Sequence, residues 1–110
     1  MFLVLLRYTG ALDTVDALLH DHRAFLERHY ASGRFMLSGR RVPRVGGVIL
    51  ARGDDEDALR EVLREDPFHV AGVAEYELIQ VAPTMAHSAI AEQVAAELAA
   101  ATGRADQVAT

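Results

Sequence analysis

His22 is the side chain in this sequence best suited to moving a proton near neutral pH. It falls among apolar residues: Val15, Leu18, Leu19, His22, Phe25, Leu26 and then His29 or Tyr30 recur at three- and four-residue steps, one stripe of a helix. There the imidazole faces whatever the helix packs on. It is then either a general acid or base, or a buried histidine held by a structural hydrogen bond. Asp66, directly before Pro67, is a second candidate, although an aspartate in that position also bonds backbone N–H groups and shapes a turn. Arg40, Arg41 and Arg44 belong to a basic loop that can clamp a carboxylate or enolate oxygen, with a solvated loop as the plainer alternative. Ser38 and Gly39 close a short strand. The glycine permits close approach of a ligand to the backbone, and the hydroxyl reaches a ligand or completes a turn. Phe68 reads as core or pocket wall before it reads as a stacking surface for an aromatic substrate.

Other chemistries lose their footing on the same residues. No G-x-S-x-G elbow surrounds Ser38, so it is not read as a nucleophile. His20 and His22 are two apart and point about 200° away from each other on a helix, which prevents joint chelation. His22 and His29 are two turns apart, and no H-E-x-x-H occurs, so no metal site is expected; His69 near Asp66 is the one residue that keeps a metal in view. Gly46-Gly47 lacks the remainder of any nucleotide fingerprint and reads as a strand-entry turn, so no cofactor is expected. The chain has no cysteine, which removes disulfides and thiol chemistry, and its cations are all arginine, which removes a Schiff-base or P-loop lysine.

The elements that must position these residues follow from the pattern. Phe2–Tyr8 is a nearly continuous apolar run ended by Gly10, a buried strand. Asp13 or Thr14 caps the long helix, which runs to about Ser32 and stops at Gly33. Arg34–Ser38 is a short strand ending at Gly39, residues 40–44 are a loop, and Gly46-Gly47 opens a third strand, Val48–Arg52. Asp54 or Asp55 caps a second helix to about Glu65, ended by Asp66-Pro67-Phe68, because proline disfavours helical geometry in the residue before it. In the last strand, Ala74–Val81, Tyr76, Leu78 and Gln80 face one way and Glu75, Glu77, Ile79 and Val81 the other. Met85–Ala101 is alanine-rich, with Ile90, Val94 and Leu98 on a thin stripe; it reads as one further helix stopped by Gly103, followed by a disordered tail from Arg104. The division expected is a domain over residues 1–83 and a helical extension over 84–110.

The order β-α-β-β-α-β is the split βαβ, ferredoxin-like unit, an α+β fold with a four-stranded antiparallel sheet. Two helices cover one face of such a sheet and leave an apolar face bare. A second copy of the chain is the economical cover, so a homodimer is expected. At 110 residues, with 51% apolar and 25% charged side chains, there is material for one core and not two. Sixteen acids against eleven bases, a net charge of −5, argue against nucleic acid as a partner. No apolar run reaches the ~20 residues of a membrane span, and the opening segment is too short for a secretion signal, so a cytoplasmic protein is expected.

Several segments together resemble a known family. They are His22-Arg23-Ala24-Phe25-Leu26, Ser32-Gly33-Arg34-Phe35-Met36-Leu37-Ser38-Gly39, Gly46-Gly47-Val48-Ile49-Leu50, and Glu65-Asp66-Pro67-Phe68 followed by Ala71-Gly72-Val73. Their order and spacing look like the YciI-like, or YCII-related, family across about residues 1–83. That resemblance implies a dimeric α+β barrel built from the ferredoxin-like unit, with a cleft at the sheet face. It also implies a catalytic histidine and aspartate, which by position are His22 and Asp66. Some relatives act on ring compounds, one by dehydrochlorinating a chlorinated hydroxyquinol; related barrels include muconolactone isomerases and heme-handling or monooxygenase proteins. Arg40 stands where members often carry proline, which brings arginines to the rim of the pocket.

The expectation is therefore a cofactor-independent enzyme in which His22, oriented by Asp66, moves a proton on a small cyclic or unsaturated acid or phenol. Isomerase, lyase and dehydrochlorinase chemistry all fit. Ser38, Gly39, Arg40, Arg44 and Phe68 are expected to bind the substrate. The alternative is a non-catalytic ligand-binding, sensor or accessory module on the same fold, marked by a dry, closed location for His22. A heme-handling barrel would need a much wider apolar pocket.

Overall fold

The computed structural model describes residues 1–102. Four strands, β1 (Phe2–Tyr8), β2 (Phe35–Arg40), β3 (Gly46–Ala51) and β4 (Ala74–Gln80), form one antiparallel sheet in the order β2-β3-β1-β4. The helix α1 (Leu12–Ala31) joins β1 to β2, while α2 (Glu56–Leu63) and the single-turn α3 (Pro67–Val70) join β3 to β4. This is the α+β, ferredoxin-like arrangement.

Period-two burial in β1 sets the two faces of the sheet. Phe2, Val4 and Leu6 are buried under the helices with Val15 and Phe25 of α1, Ile49 of β3, Leu59 and Leu63 of α2, and Phe68 of α3. The cross-strand neighbours on the other face are Leu37, Leu50, Leu3 and Ile79 in one row and Gly39, Val48, Leu5 and Glu77 in the next. Leu37 is 65% exposed there and Ile79 39%, so an apolar row lies bare in the single chain.

Several boundaries differ from the sequence expectation. The helix α1 starts at Leu12, with Ala11 at its cap position and no side-chain cap, so neither Asp13 nor Thr14 caps it. The chain turns earlier because Val73 accepts hydrogen bonds from the backbone N–H groups of Thr9 and Gly10, and a Cβ on Gly10 would lie 2.8 Å from Val73 Cγ1. The strand β2 continues through Gly39 to Arg40, and β3 begins at Gly46. Gly39 pairs with Val48 and Arg40 with Gly47, so the hairpin is longer than its glycines indicated. Gly46 is needed for close approach: a Cβ there would sit 1.8 Å from the Leu6 carbonyl oxygen.

Asp66-Pro67 opens α3 rather than only ending α2, since proline suits the first helical position and Asp66 caps it. The extension is not one helix. It forms α4 (Ser88–Ala91), capped by His87, and α5 (Ala95–Thr102). Between them the backbone bonds lengthen to 3.3 Å (Val94 to Ile90) and 3.4 Å (Ala95 to Glu92). Val94 is the one large side chain of this stretch that is buried, so packing fixes the segment at a single point and alanine propensity does not hold the rest straight. Gly103 and the expected tail lie outside the described residues.

Candidate active site

His22 enters the site because it follows Leu18 and Leu19 and precedes Phe25 and Leu26 on the inward stripe of α1. Asp66 arrives from the second helical connection as the cap of α3, which packs beside α1. Its Oδ1 accepts the backbone N–H of Phe68 at 3.0 Å and the Nδ1–H of His22 at 2.8 Å. The turn-shaping and histidine-partner roles thus fall on one oxygen. The other oxygen, Oδ2, accepts the hydroxyl of Tyr76 from β4 at 2.6 Å.

Asp66 is fully buried, and an unpaired carboxyl there would carry a large desolvation cost. Three donors from α1, α3 and β4 satisfy it instead. The Tyr76 phenol is pushed well above its ordinary value, first by burial, then by the charge of Asp66 and the hydrogen bond to it, so it stays a protonated donor.

The His22 ring stacks on Phe68 with centroids 4.0 Å apart and planes 11° apart. Asp66 engages one edge and Phe68 covers one face, so the ring has little freedom. When the ring is neutral and Nδ1 donates to Asp66, the lone pair is on Nε2. The side chain remains 13% exposed, and His22 lines a cavity of about 380 Å³ between α1 and the sheet, on the helix-covered side. A cavity of that size lies in the usual range for small-molecule sites.

The structure gathers all the sequence-expected residues but one around this cavity. His22, Ser38, Gly39, Arg40, Arg44 and Phe68 line it, and Asp66 stands directly behind His22. Ser38 shares a hydrogen bond with the hydroxyl of Tyr30, which orients it. Arg44 is ion-paired with Asp16; the hydrogen bond holds the Asp16 carboxyl below the usual carboxylate range and raises the Arg44 guanidinium. Arg41 does not reach the wall. His29 hydrogen-bonds Glu65 at 3.1 Å and is spoken for. Among the described residues no three His, Cys, Asp or Glu side chains are grouped to hold a metal ion.

Two residues were not anticipated. The strand pattern groups Tyr76 with Leu78 and Gln80 on one face and assigns it no role; a tyrosine beside an apolar strand neighbour needs a hydroxyl partner once buried, and that was the available signal. Arg23 is given no site role by the sequence pattern, yet it lines the cavity beside His22.

One solved structure with the same fold is that of 5-chloro-2-hydroxyhydroquinone dehydrochlorinase from Burkholderia phenoliruptrix AC1100, determined in complex with 2,5-dihydroxybenzoquinone. It shares 18% identity over 74% of this chain and 93% of its own, with a TM-score of 0.62. No curated protein matches the chain. Among the described residues no helix is long and apolar enough to cross a membrane. Residues 1–82 match the family described as the YCII-related domain, and the chain therefore belongs to that family.

Proposed function

We propose that the chain is a cofactor-independent enzyme that transfers a proton on a small cyclic or unsaturated acid or phenol, using His22 and Asp66. The observation that carries this reading is the 2.8 Å bond from His22 Nδ1 to Asp66 on a ring that forms part of an accessible cavity wall. Nε2 takes a proton from a substrate carbon or hydroxyl, and Asp66 stabilises the imidazolium that results. The electron pair left on the substrate then shifts along its conjugated system. If the imidazolium returns its proton at another atom, the outcome is isomerisation. If the pair expels a leaving group such as chloride, the outcome is elimination, the chemistry named for the structurally similar dehydrochlorinase.

The row of Leu37, Leu50, Leu3 and Ile79, exposed at Leu37 and Ile79 and half-buried between them, supports a homodimer through the open sheet face. In this reading residues 1–83 carry the reaction, and 84–110 extend beyond it.

A panel of chlorinated and unsubstituted hydroxyquinols and unsaturated lactones, assayed for proton exchange, isomerisation and halide release, tests the proposal. His22→Ala is expected to abolish turnover of the best substrate while circular dichroism and oligomeric state stay unchanged. Full activity in that variant rules the assignment out, and saturable binding without turnover across the panel supports a ligand-binding module in its place.

A further inference from the structure

The chain is acidic overall, with a net charge of −5, yet the wall of the His22 cavity carries three arginines and no carboxylate. Arg44 is already committed to Asp16. Arg23 and Arg40, in contrast, take part in no ion pair among the described residues. They come from two separate elements, the α1 turn that bears His22 and the end of β2, and both reach the same cavity. Leu6, Leu19, Leu26 and Ile49 line it as well, so the two arginines share the wall with aliphatic side chains.

We infer that Arg23 and Arg40 form an anion clamp and that the site takes its ligand as a planar organic anion, a carboxylate or phenolate on an unsaturated ring. The reasoning rests on the proton-transfer reading of His22 and adds a second end to the site. An unsaturated ring suits the aliphatic part of the wall. Its acid group meets the fork of one or both guanidinium groups, whose planar donors match a carboxylate. The opposite edge of the ring then lies towards Nε2 of His22. Cations concentrated at the mouth of an otherwise acidic protein also draw anions in and turn cationic ligands away. Arg40 is the last residue of β2, paired with Gly47 of β3, so the sheet fixes its backbone at the wall.

The test uses benzoate and its neutral isostere benzamide as probes, followed by amide chemical-shift titration of the intact protein. Benzoate is expected to shift residues around His22 and Arg40, to bind about tenfold or more tightly than benzamide, and to weaken as ionic strength rises. Arg23→Gln and Arg40→Gln should each lower benzoate affinity about tenfold and leave benzamide affinity unchanged. Both side chains are exposed, so the variants should fold. Equal affinity for the two probes, or benzoate binding indifferent to both substitutions, overturns the clamp. His22→Gln separates the two ideas: turnover that survives this change removes the proton-transfer reading and leaves the clamp standing, whereas lost arginine dependence removes only the clamp.

Discussion

Tyr76 of β4 donates its hydroxyl to the oxygen of Asp66 that His22 leaves free, so one buried carboxylate ties the sheet to the helix bearing the proposed base. The carboxylate is braced on both oxygens and cannot rotate without losing a donor. Any substitution along this line moves both stability and the geometry of the imidazole.

Tyr76→Phe leaves Oδ2 of a fully buried carboxylate without a donor, and is expected to cost about 1–3 kcal/mol in urea unfolding. The pH dependence has a definite sign. The phenol is held above its ordinary value of 10.0 in the folded state, so the folded chain binds that proton more tightly than the unfolded chain. The associated stability is complete below pH 10.0 and falls as pH rises past it. Alkaline unfolding monitored with tyrosinate absorbance should show Tyr76 ionising only as the fold is lost. The Phe variant should lack that alkaline component.

Asp66→Asn retains the shape of the side chain but puts an amide against Nδ1 and Tyr76. If His22 is the base, kcat on the substrate found should drop by roughly 10²–10⁴-fold, with a smaller change in KM. Steady-state kinetics distinguish this from a purely structural role, in which activity would follow the folded fraction.

Gly46→Ala would drive a methyl group into the Leu6 carbonyl, a contact of 1.8 Å that only a backbone shift relieves. The β1–β3 pairing should weaken, with thermal stability lowered by about 3 kcal/mol or more. Differential scanning calorimetry reads the effect directly.

Leu37→Glu together with Leu50→Glu places charge on the bare apolar row without touching the buried core. The proposed homodimer should dissociate in sedimentation velocity while far-ultraviolet circular dichroism persists. A wild-type chain that sediments as a monomer removes the dimer.

The fold was largely legible because its order of elements follows from apolar periodicity, which the packed sheet preserves. The boundaries were not. Gly39 reads as a stop, yet cross-strand pairing with Val48 carries the strand past it. In the site, the stripe of α1 turns His22 inward, where it meets Asp66 and Phe68 of α3 and not a strand, and only the family resemblance joined it to Asp66. Periodicity cannot see a contact across 44 residues. Tyr76 escaped because its partner caps α3, a four-residue helix too short to leave a pattern. Arg23 escaped because a long charged side chain beside an inward histidine looks the same whether it meets water or the mouth of a cavity.

The most direct test is the tautomer of the His22 ring, read from its two ring ¹⁵N shifts at a pH where the ring is neutral, in the wild type and in Asp66→Asn. The proton should sit on Nδ1 in the wild type, with Nε2 unprotonated towards the cavity, and should shift towards Nε2 in the variant. A wild-type ring protonated at Nε2 would contradict the account, because the nitrogen facing the substrate would then have no lone pair to accept a proton.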